Sequence, residues 1–314
     1  MALNKQTFQV RTLTAIIFVV IMLCGLLINQ WTFFLLFFII HWGCWKEFIK
    51  LYEKINVRYA DVASKSKEAP MLIGCGFLIF CLPHYFKINQ YVKVYYIGIF
   101  IFLAGLLYFL FRLLKEDQSR RGVLLKYSFL GLIYISLTWG AMINLSNLNL
   151  VQMPLNNQDS LPLRILNTDI YDLGYIAALT LIGSIWINDT MQYIVGSLIG
   201  KTPFSQISPN KTLEGTLGGS LLCVVIIGLI GYIYKHEFVS LFVYIALVAA
   251  IVGTCGDLLE SKIKRMAGVK DSGNLMPGHG GFLDRFDSLI LSVPFVWIAI
   301  EAIVYIITNK QFGG

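Results

Sequence analysis

Nine long apolar runs constrain this chain more than any other feature; they lie near 12–29, 31–45, 71–86, 94–111, 123–145, 171–188, 216–234, 238–256 and 287–308. A helix needs about 20 apolar residues to cross the hydrocarbon of a bilayer, and these runs hold 15 to 23. Within lipid, a helix bonds every backbone amide and carbonyl inside its own segment, which an open strand cannot do. Only 14% of the 314 residues are charged, where a soluble domain carries about 25%. The pattern predicts an all-α polytopic integral membrane protein with about nine transmembrane helices, and it leaves no stretch for a soluble domain.

Loop charge orients those helices, because cytoplasmic loops are enriched in Lys and Arg. With a cytoplasmic N-terminus, 20 of the 25 basic residues fall on the inner side, among them Lys46, Lys50, Lys54, Arg58, Lys65 and Lys67. Lys87, Lys93, Arg164, Lys235 and Lys310 fall outside. A count of eight or ten spans breaks this alternation. The net charge of +7 is therefore matched to topology and anionic membrane lipid, and no nucleic acid is expected as a partner. The six cysteines sit in or beside apolar runs, with neither metal-ligand spacing nor the pattern of a disulfide framework. The first run lacks a small-residue cleavage site and leads directly into the second, so it reads as an uncleaved helix.

Spans one to five, with an inner loop at 46–70, make an N-terminal part, 1–170; spans six to nine, with inner loops at 189–215 and 257–286, make a C-terminal part, 171–314. Loop 46–70 reads as an interfacial helix with Trp42 and Trp45 at the membrane surface. The outer loop 146–170, rich in Asn with Pro154 and Pro162, reads as irregular. The chain shows no internal repeat of the kind that builds many transporters.

Chemistry concentrates in 257–288, the most polar stretch. Asp257, Ser261, Lys264 and Arg265 fall at i, i+4, i+7 and i+8 and share one face of a helix. Gly268 ends that helix, and Asp271-Ser-Gly and Pro277-Gly-His-Gly-Gly force an irregular loop. A second helix begins near Phe282 and presents Asp284, Asp287 and Ser288 on one side. Carboxylates on two helices joined by a basic, Gly-rich loop suit a divalent metal and a polyphosphate. A merely solvated loop does not explain a carboxylate, Asp257, set directly after an apolar run.

Ser261-x-Ile263-Lys264-Arg265-x4-Lys270-Asp271-x-Gly273-x3-Pro277-x-His279-Gly280-Gly281-Phe282-x-Asp284-Arg285-Phe286-Asp287 resembles the signature of phosphatidate cytidylyltransferases, the CDP-diacylglycerol synthases. Met276 stands where that family usually has Leu, Ile or Phe. A second element is similar to the same family: Asp189, Tyr193, Gly196 and Gly200-Lys201, followed by Ser208-Pro209-Asn210-Lys211-Thr212-x-Glu214-Gly215. Gln192 replaces the more usual small residue there. Gly200-Lys201-Thr202 is not a P-loop, since Gly196 is one residue too near and an apolar helix precedes it.

The resemblance implies transfer of CMP from CTP to phosphatidic acid, giving CDP-diacylglycerol and pyrophosphate, at a site facing the cytoplasm of a bacterial inner membrane. It implies Asp257 and Asp284 as ligands of Mg2+, with a second cation left open. Ser208, Lys211, Thr212, Ser261, Lys264, Arg265, Lys270 and Arg285 would hold phosphate groups, with Asp189 and Lys201 in the substrate site. His279 is either a hydrogen-bonding strut or a proton donor to pyrophosphate. Oligomeric state stays open, a homodimer included. The rivals are a CTP-dependent enzyme acting on another lipid, such as an isoprenoid-ether cytidylyltransferase or a lipid kinase, and an ion-coupled transporter using Asp189 and Asp257.

Overall fold

The computed structural model describes residues 5–82, 93–147, 173–205, 207–209, 211–274 and 280–312. These residues form helices and turns, with extended pairing limited to isolated bridges such as Pro203 with Thr212. The first helices are α1 (Lys5–Leu27), α2 (Gln30–Ile55), α3 (Val57–Ala60), α4 (Ser64–Phe80) and α5 (Val94–Lys115). Next come α6 (Gln118–Gly131), α7 (Thr138–Ser146) and α8 (Leu173–Ile199). The C-terminal set is α9 (Leu213–Tyr234), α10 (Val239–Val248), α11 (Thr254–Met266) and α12 (Phe282–Phe312).

Six helical segments among the described residues are long and apolar enough to cross a membrane: α2, α5, the continuous Gln118–Ser146, α9, the continuous His236–Met266, and α12 as far as Ile306. The other three expected runs carry α1, α4 and α8. The apolar part of α1 is Ile16–Leu27, α4 has 17 residues, and α8 includes Asn188, Asp189 and Gln192 in its second half. The outer loop expected at 146–170, and with it the boundary at 170, lies almost wholly outside the described residues.

Segment 46–70 differs from expectation. Rather than forming one separate helix, residues 46–55 continue α2, α3 takes Val57–Ala60, and α4 begins at Ser64. The reason is the pattern of burial: Glu47, Phe48, Ile49, Leu51 and Tyr52 face the protein, while Lys50 points out. Trp45 is not a surface anchor; it is fully buried, and its Nε1 donates to Ser136 Oγ at 3.0 Å.

Aromatic packing ties the early helices to the late ones. Phe37 of α2 stacks on Trp139 of α7 at 5.3 Å, and Trp139 meets Phe286 of α12 edge-on at 5.7 Å. Between lipid-immersed helices such contacts work by close packing rather than by release of water. Pro294 interrupts α12 and cannot bond the carbonyl four residues earlier. That carbonyl, on Ile290, accepts from Thr138 Oγ1 of α7 at 3.0 Å. Two π-helical segments, Leu132–Leu137 and Ala249–Gly253, link α6 to α7 and α10 to α11. Each inserts a wider turn, and the second lies just ahead of Asp257.

Candidate active site

The polar end of α8 and the loop after it form one side of the site. Helices α8 and α9 touch backbone to backbone: a Cβ on Gly215 would lie 2.7 Å from Gly196 Cα, and one on Gly219 would lie 2.4 Å from the Gln192 amide. Between them the chain folds back on itself, with Phe204 N donating to Lys211 O at 2.7 Å and Leu213 N to Thr202 O at 2.8 Å. Glu214 secures the turn by accepting from the Lys201 and Thr202 amides at 3.0 and 3.1 Å. Thr212 caps α9, its Oγ1 accepting from Gly215 N at 3.1 Å. The outcome is local: Ser208, Lys211 and Thr212 return to the side of Asp189.

The other side comes from α11, the following loop and α12. Gly268, at φ +68°, ends α11. Val269 N bonds Lys264 O and Gly268 N bonds Arg265 O, each at 3.0 Å, the paired closure that only a left-handed residue allows readily. The Asp284 carboxylate then gathers the loop: Oδ1 accepts from Lys264 Nζ at 2.6 Å. Oδ2 accepts from Ser272 N at 2.8 Å, Ser272 Oγ at 2.8 Å and Gly281 N at 2.7 Å. Lys264 is also 2.5 Å from Glu260, a residue that is 1% exposed.

These two sides enclose a cavity of about 590 Å3, with Asp189, Lys211, Asp257, Asp284, Asp287 and Ser288 on its wall. Lys211 forms an ion pair with Asp257, and Ser261 Oγ lies 3.4 Å from the other Asp257 oxygen. Asp189 interacts electrostatically with Lys211 and Asp257, and Asp287 with Asp189, Asp257 and Glu260. Among the described residues, carboxylates therefore outnumber cations on the wall. Such an arrangement repels a polyanion unless a cation joins it.

The residues named from sequence separate into groups. Asp189, Ser208, Lys211, Thr212, Asp257 and Asp284 line the cavity. Ser261 and Lys264 stand behind it, held by Asp257 and Asp284. Arg265 points away and donates to Val269 O at 3.2 Å. Lys201 and Lys270 are exposed and do not line the cavity. Arg285 is likewise exposed, 6.0 Å from the Phe18 ring. His279 lies outside the described residues.

Asp287 and Gln192 are named from sequence without a role in the site, and Glu47 is not named at all. Asp287 shares the face predicted for Asp284 and Ser288, and the cavity uses all three. Gln192 is buried between helices, its Nε2 donating to Thr254 Oγ1 at 3.1 Å, so the larger side chain is accommodated by a bond to the start of α11. Glu47 of α2 reaches the loop from the N-terminal part: its two oxygens accept from Phe282 N at 2.8 Å, Leu283 N at 2.9 Å and Ser272 Oγ at 2.7 Å. In the sequence Glu47 stands among Lys46, Lys50, Glu53 and Lys54 in the charged last part of α2, so nothing local sets it apart.

A model of the cytidylyltransferase family matches residues 9–303. The chain belongs to the cytidylyltransferase family. Within it, similar relatives carry the name phosphatidate cytidylyltransferase. The one from Synechocystis sp. is 40% identical over 144 residues, 44% of this chain and 48% of the relative. That from Bacillus subtilis is 40% identical over 137 residues, 43% and 50% of the two chains. That from Helicobacter pylori is 38% identical over 134 residues, 43% and 49%. The chain thus spans about half the length of the curated relatives it matches. The chain is a member of the cytidylyltransferase family, and the apolar helices make it an integral membrane protein.

Proposed function

We propose that this chain transfers CMP from CTP to phosphatidic acid, giving CDP-diacylglycerol and pyrophosphate, on the cytoplasmic side of a bacterial inner membrane. The observation that carries the reading is the ion pair between Lys211 and Asp257. Lys211 belongs to one of the two elements that resemble phosphatidate cytidylyltransferases, Asp257 lies four residues ahead of the other, and they meet across 46 residues of chain in a single cavity.

In this reading a phosphatidate oxygen attacks the α-phosphorus of CTP, the bond from that phosphorus to the β-phosphate breaks, and pyrophosphate leaves. The attacking phosphate is already ionised near neutrality, so no strong base is required. Lys211 is the mobile cation of the wall and turns from Asp257 to substrate phosphate, while Ser208 offers a hydroxyl beside it. Lys264, fixed between Glu260 and Asp284, is a stationary positive charge behind the reacting groups. The oxygen donors fit Mg2+, which uses one or two carboxylates and completes its shell with water and substrate phosphates. Among the described residues no three acidic, His or Cys side chains are gathered into a ready metal cage. Asp257, with Asp189 and Asp287 beside it, would hold the ion. Asp284 has four donors on its carboxylate and serves the loop first. When bound, the metal supplies neutralisation of triphosphate charge and polarisation at the α-phosphate.

The test is purified protein in detergent with CTP, Mg2+ and phosphatidate. One pyrophosphate released per CDP-diacylglycerol formed is expected. Absence of lipid-dependent pyrophosphate, or transfer to an isoprenoid or diacylglycerol alcohol instead, would overturn the reading.

A further inference from the structure

We propose that Glu47 is a positioning residue of the active site, fixing the start of α12 and, through Ser272, the Asp284 carboxylate. The inference rests on the function proposed above for its kinetic half only. Glu47 is 7% exposed and lies 225 to 236 residues before the groups it holds. It accepts the Phe282 and Leu283 amides, which are the first two of α12. The opening amides of a helix have no partner within it, and the helix dipole favours negative charge at that end. Glu47 therefore supplies from α2 what a capping residue normally supplies from the adjacent turn.

Two glycines of the loop are shaped around it. A Cβ on Gly273, or on Gly281, would come within 2.2 Å of Glu47 Oε1. Both belong to the stretch that reads from sequence as a phosphate-binding loop, yet their lack of a side chain makes room for a carboxylate of the chain itself. With Phe282 N and Leu283 N already bonded, the start of α12 is not free to cradle substrate phosphate. That task passes to the cations and hydroxyls on the far wall.

Ser272 carries the link onward. Its hydroxyl lies 2.7 Å from Glu47 Oε2 and 2.8 Å from Asp284 Oδ2, and its amide bonds Asp284 Oδ2 at 2.8 Å. One hydroxyl hydrogen serves two carboxylates, so a displacement of Glu47 is felt at Asp284. Glu47 is absent from the cavity wall, which separates its effect from that of a substrate ligand.

The experiment compares Glu47→Gln and Ser272→Ala with the parent protein by two readouts. Misplacement of a catalytic group by about 1 Å costs on the order of a hundredfold in rate. We expect kcat to fall roughly ten- to a hundredfold in both variants, with KM for CTP within about threefold, because substrate binding is not touched. Hydrogen exchange at 272–274 and 281–284 should accelerate about tenfold or more, from loss of one cap. Exchange needs no turnover, so it decides the positioning role even if the parent protein proves inactive on phosphatidate. Unchanged exchange in these segments overturns the proposal. So does unchanged kcat per folded molecule in an active parent, or a loss confined to KM. Ser272→Ala keeps both amide bonds of Glu47, and remains informative if Glu47→Gln fails to fold.

Discussion

Asparagine at position 284 and asparagine at position 257 should fail in different ways, although both substitutions remove one carboxylate charge from the same cavity. Asp284 and Lys264 have side chains 10% and 12% exposed. Removing one partner of a buried ion pair costs about 3–5 kcal/mol. Lys264 keeps Glu260 at 2.5 Å, which places Asp284→Asn at the low end, about 3 kcal/mol. For a chain of this size that corresponds to a fall in Tm of about 6–12 °C. Asp257 and Lys211 are more accessible, at 20% and 27%, and loss of the Asp257 charge also relieves its repulsion of Asp189 and Asp287, which offsets the loss of the pair. Asp257→Asn should therefore leave Tm within a few degrees. Its effect should appear instead in a Mg2+ titration of pyrophosphate release, with half-saturation raised about tenfold or more, equivalent to about 1.4 kcal/mol. Asp284→Asn should shift that titration by less than about threefold while lowering kcat through the loop. If Asp284→Asn moved the Mg2+ requirement tenfold with Tm unchanged, the division of labour between the two carboxylates would be refuted.

Other outcomes are equally specific. Lys211→Met should lower kcat/KM for CTP by about tenfold to a few hundredfold, the worth of a charge-assisted phosphate bond of roughly 1.5–3 kcal/mol; parent-like kinetics would remove Lys211 from the site. Thr138→Val should leave the Ile290 carbonyl without its partner and cost about 1–3 kcal/mol, seen as a lower Tm with kcat per folded molecule unchanged; an equal Tm would mean the gap left by Pro294 needs no donor. Cysteine probes placed at Lys65 and Lys211 in a cysteine-free background should react from the cytoplasmic side and one at Asn157 from the opposite side; labelling of positions 157 and 211 from the same side would break the nine-span topology.

What the sequence made legible was local. The end of α11 at Gly268, the start of α12 at Phe282 and the common face of Asp284, Asp287 and Ser288 follow from spacing and glycine chemistry within a few residues. The convergence of Lys211 with Asp257 was suggested only by two separate resemblances, because spacing does not reveal which loops meet. Helical phase also misled where a terminus intervened: Arg265 was assigned to the face of Asp257 but lies in the last turn of α11 and bonds Val269 O. Charge pattern misled in 46–55, where Lys46, Lys50 and Lys54 suggested a surface helix. The intervening Glu47, Phe48, Leu51 and Tyr52 are buried against other segments. No local rule could foresee Glu47, since all three groups that explain its burial arrive more than 200 residues later.

That late arrival bears on how the protein is made. Helices α2 and α7 enter the membrane well before α12 is synthesised, yet α12 supplies partners to both. Phe282 N and Leu283 N meet Glu47, Ile290 O meets Thr138, and Trp297 Nε1 meets Asn144 Oδ1 at 2.9 Å. Until then Glu47 and Asn144 lack these partners in the nascent bundle and must keep water or lipid headgroups beside them, since an unsatisfied polar group in hydrocarbon costs several kcal/mol. Gly43 of α2 leaves the space that the Phe282 ring fills, a Cβ there coming within 2.2 Å of it. A chain that ends before residue 282 therefore lacks the partners that α12 brings to Glu47, Thr138 and Asn144.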